Sequence, residues 1–487
     1  MSDSLQNVYD ILRRSSGKWP RHTAIIDEFG MLDYMTLFQQ VEEVRQRLCG
    51  KGVAKGMGVG IMGGNSRAFV IGAFAAVGCG AIVMPLSQRL GKMDLDEIRE
   101  AAPPHAIIRC PDAPGHEAEG STDTVAIPGL RTPFQFCWKG AARQEGFAPF
   151  VADAAFVRFT SGTTNRAKGV VLSHTGIVER TAAANRGLEL SADDTVLWVL
   201  PMAYHFFVSV ILYLRYGCTI VICRDNLPET ILLDAEKHGA TFLYGAPIHY
   251  GMLASHASKR QLRTLKRAVS TSIALPRQIA RGFFDRVGLP ISQAYGVIEI
   301  GLPLINTDAP AERPESVGRP LPDYEVALFD EKGQRVPDGG IGELAVRGPG
   351  MFSAYLAPPR LREKVLREGW FMTGDLAERD AEGYVTLMGR SKSLINVGGQ
   401  KVFPERIEAF LNLHPLVLTS RVTGRSHARL GEVVHADLVL RSGAEAAGAR
   451  EEVIEYCCES LLPFEVPQSV TIVEKIGTTR SGKVTRR

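Results

Sequence analysis

Short apolar runs that alternate with helix-length segments set the tightest limit on how this chain folds. Ala24-Ile25-Ile26, Val59-Gly60-Ile61-Met62, His105-Ala106-Ile107-Ile108, Val196-Leu197-Trp198-Val199-Leu200, Thr219-Ile220-Val221-Ile222, Phe242-Leu243-Tyr244-Gly245 and Arg267-Ala268-Val269-Ser270 all have strand length. Between them lie helical patterns such as Tyr34 to Leu48, whose Leu37, Val41, Val44 and Leu48 form the stripe of a surface helix. Alternation of this kind predicts parallel strands covered by helices, an α/β fold. Over residues 316–350 the pattern changes to short alternating strands with Gly/Pro turns, which predicts a small β-barrel-like subdomain.

At 487 residues the chain is too long for one ordinary core, and two or three domains are expected. Hydrophobic content of 45% and charged content of 22% belong to a soluble globular protein. A net charge of +3 over this length gives no footprint for nucleic acid or an anionic membrane surface. The cysteines are scattered without a CxxC or a zinc spacing, and Cys457-Cys458 falls in a helical pattern where core packing is expected. With no signal-peptide pattern at Met1-Ser2-Asp3-Ser4, a reduced, cytoplasmic protein is the expectation. Phe69 to Leu86 carries no charge and reaches spanning length, yet Gly78-Cys79-Gly80 breaks it and Pro85 ends it. It reads as a buried helix, a turn and a short buried strand, so no membrane span is expected. Residues 110–150 are polar, rich in Pro, Gly and Glu, and read as surface connections.

Two glycine-rich stretches invite a nucleotide. Gly58-Val59-Gly60-Ile61-Met62-Gly63 is a literal GxGxxG, but its centre is itself the strand, where a dinucleotide fingerprint needs the glycines after one. Thr160-Ser161-Gly162-Thr163-Thr164-Asn165-Arg166-Ala167-Lys168 lies instead between the strand-like Phe156-Val157-Arg158-Phe159 and Gly169-Val170-Val171-Leu172. Ser173 is an N-cap candidate for the helix that follows. The turn offers hydroxyls, glycine-freed amides, Arg166 and Lys168, a set that suits polyphosphate. It is not a Walker A loop, because Gly169 follows Lys168. Turns of this composition often bind nothing, so the loop alone leaves both readings open.

The loop resembles the Ser/Thr/Gly-rich phosphate loop of the adenylate-forming superfamily, which holds acyl-CoA synthetases, peptide adenylation domains and luciferases. Further motifs follow in that family's order. Pro201-Met202-Ala203-Tyr204-His205-Phe206 resembles the place where a histidine sits between acyl pocket and nucleotide. The resemblance implies a substrate pocket formed by Tyr204, His205, Phe206, Tyr244, Gly245 and Ser272. Phe206 stands where amino-acid adenylation domains tend to put an Asp, which implies an acid without an α-amino group. Relatives usually carry two glycines where this chain has Thr271-Ser272. Ala294-Tyr295-Gly296-Val297-Ile298-Glu299 resembles the Tyr-Gly-x-Thr-Glu motif, in which Tyr295 would flank adenine and Glu299 would help hold Mg²⁺. Ile298 departs from it: the family's Thr there contacts the α-phosphate, a hydrogen bond worth about 1 kcal/mol net, more if aimed at developing charge.

Thr373-Gly374-Asp375 resembles the motif whose Asp accepts from both ribose hydroxyls. Gly389-Arg390-Ser391-Lys392 resembles the hinge on which a small domain swings between two half-reactions, with Arg390 reaching ribose or phosphate and Lys392 at the pivot. Gly398-Gly399 resembles the loop that lines a pantetheine tunnel. The compact spacing from Asp375 to Gly389 lacks the insertion of fatty-acyl-AMP ligases, which favours CoA. Thr479-Arg480-Ser481-Gly482-Lys483 resembles the family's ending, and Lys483 would neutralise charge as a carboxylate attacks the α-phosphate.

The resemblance implies a large N-terminal adenylation domain over 1–389 and a small, mobile α+β domain over 390–487. It implies ATP, Mg²⁺ and CoA, with Lys483, Thr163, His205 and Glu299 as catalytic residues. Thr160, Ser161, Gly162, Thr163, Thr164, Lys168, Ala294, Tyr295, Gly296, Asp375, Arg390, Lys392, Gly398 and Gly399 would hold the nucleotide and CoA. A medium-chain fatty or aryl acid would give an acyl-adenylate and then a thioester. The thiol of a separate acyl carrier protein is the alternative acceptor, and a nucleotide- or acyl-binding homologue without catalysis is the alternative class. A homodimer is compatible with all of these.

Overall fold

The computed structural model describes residues 7–113, 122–138, 147–160, 168–444 and 446–477. Two nine-stranded sheets carry the larger part of the chain. In the first, the parallel strands Thr23–Asp27, Thr219–Ile222, Thr195–Trp198, Phe242–Gly245, Arg267–Ser270 and Ile291–Val297 lie side by side, with antiparallel strands at both edges. The second places Ala106–Arg109, Gly58–Gly63, Ile82–Ser87 and Ala154–Thr160 in parallel, then Lys168–Ser173 antiparallel to the last. The alternating pattern of the sequence is thus met by parallel central strands, and Gly58–Gly63 is a fully buried strand rather than a dinucleotide turn.

The uncharged stretch resolves into helix Arg67–Gly78, a turn at Gly80 with φ of +76°, and strand Ile82–Ser87. Every residue from Ala68 to Val77 is buried, because one continuous core reaches from Val59 and Val83 of the second sheet to Ile25, Val196 and Trp198 of the first. Among the described residues no helix is long and apolar enough to cross a membrane. Ser173 caps helix His174–Leu188, its hydroxyl accepting from the Gly176 amide at 3.0 Å.

Two segments differ from what the sequence pattern predicts. Residues 110–150 are not merely connections, for Thr122–Val125 and Phe134–Trp138 extend the second sheet. Phe134 and Phe136 are buried with Gln135 exposed between them, a half-buried strand too short to stand out in its polar setting. In helix Ala449–Ser460, Cys457 packs in the core but Cys458 is exposed, since adjacent helical positions point about 100° apart.

The β-rich subdomain is a four-stranded antiparallel sheet of Glu325–Phe329, Ile341–Arg347, Phe371–Arg379 and Val385–Arg390. A further five-stranded sheet spans Ile395–Val397 to Ser469–Ile472 and has its own core, built on Ile407, Leu411, Val422, Ala436, Leu438 and Val453. Lys401 Nζ reaches Glu331 at 2.5 Å and ties this small sheet to the β-rich subdomain.

Candidate active site

Thr373-Gly374-Asp375 is a bulge, not a hairpin turn. Only Leu344 lies between Glu343 and Ala345, while three residues lie between their partners Leu376 and Met372. Gly374, at φ of +74°, supplies the left-handed backbone that the extra residues require. The Thr373 hydroxyl donates to the Leu344 carbonyl at 2.7 Å, and the Gly374 amide donates to Glu343 at 3.1 Å. Asp375 is thereby turned inward and buried. Its Oδ2 accepts from the Tyr295 hydroxyl at 2.6 Å, and its Oδ1 meets Arg390 Nε at 2.7 Å. Burial first, then the Asp375 charge, pushes the Tyr295 phenol well above its ordinary range, so it remains a donor. The Ser391 hydroxyl donates to the Gly374 carbonyl at 3.2 Å, joining the hinge segment to the same bulge. Three motifs distant in sequence are one cluster.

Ala294 and Tyr295 are buried in strand Ile291–Val297, and Gly296 is exposed. A Cβ on Gly296 would meet the Gly301 carbonyl oxygen at 2.4 Å, so the hairpin itself demands glycine there. Glu299 is half-buried, and its Oε1 accepts from the Tyr355 hydroxyl at 3.1 Å. Tyr355 pairs with Val170 across the sheet, and Lys168 Nζ stands 5.2 Å from its ring centroid. Lys168 and Glu299 therefore face one tyrosine from two sides. Ser161, Gly162, Thr163, Thr164 and Lys483 lie outside the described residues, and of Thr160 only the backbone, paired with Lys168, is described.

His205 ends the short helix Met202–His205 and precedes a π-helical turn, Phe206–Val210. Such turns carry one residue more than an α-helical turn and often mark functional sites. The imidazole lies edge-on to Trp198 at 6.4 Å and to Tyr244 at 6.2 Å. Burial, with the Arg158 and His249 charges, lowers its pKa to about 3. Tyr204 is half-buried beneath the Arg158 guanidinium. Phe206 is placed elsewhere: its ring is enclosed by Phe69, Phe74 and Phe156 in the core, apart from His205.

Burial pushes the Tyr244 phenol up, offset in part by the side chain of Thr271, one of the two residues that stand where glycines are usual. Ser272 keeps a left-handed backbone, φ of +81°, which a Cβ makes costly. Gly245 ends the strand beside Tyr250 and His249. Gly398 and Gly399 form the two-residue loop between Ile395–Val397 and Gln400–Val402, both with positive φ, as a type I′ hairpin requires. Lys392 is exposed in the segment between the two sheets.

Two arginines were not singled out by sequence reasoning. Arg180, fully buried in helix His174–Leu188, donates through Nη1 to the Ile298 carbonyl at 3.0 Å and through Nε to the Gly350 carbonyl at 2.9 Å. It fixes the chain beside Glu299. Arg158 sits in strand Ala154–Thr160 next to His205 and Tyr204. The available signal was a cation inside an apolar strand and another on the buried stripe of Ile177, Thr181 and Ala184.

Glu299 is the half-buried carboxylate at hand for a metal. Among the described residues no group of three or more His, Cys, Asp or Glu could hold an ion. One carboxylate with Oε1 engaged by Tyr355 fits Mg²⁺, which keeps waters and takes phosphate oxygens for its remaining positions.

Two α/β layers, a β-rich subdomain and a separate small C-terminal sheet are the architecture of an adenylate-forming enzyme. The sequence profile of AMP-binding enzymes matches residues 12–356, and that of the AMP-binding enzyme C-terminal domain matches residues 406–483. The chain belongs to this family of AMP-binding enzymes. It is 29% identical to a feruloyl-CoA synthase of Amycolatopsis sp, over 96% of this chain and 94% of that one. Identity is 28% with an indoleacetate–CoA ligase of Aromatoleum aromaticum, over 97% and 95% of the two chains. ATP-bound MatB from Rhodopseudomonas palustris superposes with a TM-score of 0.82 at 25% identity, over 98% of this chain and 97% of that one. The class its curated relatives define is that of acid–CoA ligases.

Proposed function

We propose that this chain activates an aryl or medium-chain carboxylic acid with ATP and transfers the acyl group to the thiol of CoA, releasing AMP and pyrophosphate. The observation that carries the choice of acid is the aromatic surround of His205, whose imidazole lies edge-on to the buried Trp198 and Tyr244 and is held without charge. A ring or an alkyl chain gains area there that a small polar acid does not. The feruloyl- and indoleacetate-CoA ligases among the relatives support an aryl acid.

In this reading Tyr295, with Ala294 and Gly296, flanks adenine, and Asp375 takes the ribose hydroxyls on its remaining lone pairs. Ser161, Gly162, Thr163, Thr164 and Lys168, continuing from Thr160, hold the phosphates. Glu299 holds Mg²⁺, which when bound neutralises phosphate charge. Lys483 neutralises the reacting centre, and His205 orients the acid with Tyr204, Tyr244, Gly245 and Ser272. Domain 390–487 swings on Arg390 and Lys392 to bring Gly398 and Gly399 to the thiol arm. Rate in the first step comes from positioning and charge stabilisation, since a carboxylate nucleophile needs no base. Eight free cysteines support a reducing, cytoplasmic setting.

Acid-dependent exchange of pyrophosphate into ATP, run over a panel of acids, tests the first half. Aryl and medium-chain acids should give exchange, and thioester should then form with free CoA. Exchange only with acetate or amino acids would end the assignment of the acid. Thioester formed only on a carrier protein would end the assignment of CoA.

A further inference from the structure

Arg158 is a cation beside the site that makes no ion pair among the described residues, although the Glu299 charge acts on it. Two places before Thr160 in strand Ala154–Thr160, it shares that residue's face of the sheet. Across the strands it is in register with Val170, and Val170 with Tyr355, whose hydroxyl holds Glu299. Its guanidinium lies 5.5 Å from the Tyr204 ring centroid, and its charge is felt by both Glu299 and His205. The residue as a whole is half-buried, but Nε is shut off from solvent and has no hydrogen-bond partner.

Arg67 is paired with Asp27, and Arg180 is engaged by two backbone carbonyls. Arg158 makes no ion pair within the described residues, and its Nε, shut off from solvent, is left without an acceptor, which is costly. A position between Glu299 and His205 is where the anions of the proposed reaction converge. The family's α-phosphate hydroxyl is also absent here, because Ile298 has replaced it and turns only its carbonyl, to Arg180.

We propose that Arg158 is a further catalytic residue, donating to the acid carboxylate and to the α-phosphate it attacks, in place of the hydroxyl missing at Ile298. The inference rests on the adenylating function proposed above. In the step concerned a carboxylate oxygen forms a bond to the α-phosphorus. The bond from that phosphorus to the bridging oxygen breaks, and its electron pair leaves with pyrophosphate. No proton moves, and Arg158 stays charged. Its planar fork reaches two oxygens at once, which a hydroxyl cannot do.

The test uses the full chain, wild type, Arg158→Met, Arg158→Lys, and Arg158→Met combined with Ile298→Thr. The readouts are pyrophosphate exchange with a monocarboxylic aryl acid and with an aryl dicarboxylic acid, and thermal unfolding. Arg158→Met should lower kcat by ~10²–10³, the loss expected for one preorganised donor. Lys should recover part of it, and Ile298→Thr in the Met background should recover about tenfold. A rise only in KM for the acid, or a loss confined to the dicarboxylic acid, would instead make Arg158 a reader of a distant acidic group and overturn the proposal. So would a loss that tracks lowered unfolding temperature and is rescued by neither Lys nor Thr. Should Arg158→Met fail to fold, Arg158→Lys alone decides, since an unchanged kcat there excludes a two-oxygen contact. Wild-type protein without exchange on any acid would overturn the adenylating function itself. Wild-type exchange matched by Arg158→Met would overturn the role of Arg158 alone.

Discussion

The Tyr295 hydroxyl donates to Asp375 at 2.6 Å across 80 residues of chain, and Arg390 takes the other carboxylate oxygen at 2.7 Å. The aromatic expected to flank adenine thus also aims the carboxylate expected to hold ribose. Tyr295→Phe keeps the flat ring and removes only the hydrogen bond. A bond to a charged acceptor is worth about 1.5–3 kcal/mol, so ATP affinity should fall by roughly tenfold or more. Calorimetric titration with ATP measures it, and an unchanged Kd would show that Asp375 is aimed by its bulge alone.

Thr271 and Ser272 are neighbours, yet glycine at each should act with opposite sign. Ser272→Gly removes the strain of a left-handed residue, offset in part by glycine's unfolded-state entropy, and should raise stability by at most about 1 kcal/mol. Thr271→Gly removes a buried side chain beside Tyr244 and adds glycine's unfolded-state entropy, and should lower stability by about 1–3 kcal/mol. Urea unfolding midpoints compare the two, and shifts in the same direction would refute the account of one of them.

Arg180→Leu strands the carbonyls of Ile298 and Gly350 in the core. Two unsatisfied acceptors at about 1–3 kcal/mol each put the loss at roughly 2–6 kcal/mol. Arg180→Lys should rescue little, since a point donor does not span both oxygens. Thermal unfolding of the two variants is the check, and a lysine variant as stable as wild type would remove the argument for the fork.

His205 makes stability depend on pH in a definite direction. Its folded pKa, about 3, lies below the ordinary 6.5, so as pH falls the unfolded chain takes up the proton first. The stability that neutral His205 contributes is complete above pH 6.5 and is lost progressively toward pH 3. His205→Gln should therefore lose stability less steeply between pH 7 and 4, by up to one proton per molecule. Parallel stability profiles of the two proteins would show that the histidine is solvated.

Local order in this chain was legible because local order follows from local chemistry. The uncharged Phe69–Leu86 stretch held a helix and a strand because Gly80 turns the chain and neither segment had a polar face to expose. Ser173 announced the helix that its hydroxyl caps. Thr122–Val125 and Phe134–Trp138 escaped notice, since strands this short carry too few alternations to rise above polar flanks. The candidate residues for adenine, ribose and metal could be named from motifs in order, but not their contacts.

What the sequence determined by itself is the succession of elements and the kinds of groups available, since periodicity, caps and turn residues act over a few positions. Tertiary structure alone decided which groups meet. Layer packing brought Tyr295, Asp375 and Arg390 to one carboxylate, and sheet register put Arg158 in line with Tyr355. It also sent Phe206 into the core while its neighbour His205 took a place among Trp198 and Tyr244. Burial and pairing are properties of surroundings contributed by distant segments, and no short window of sequence contains them.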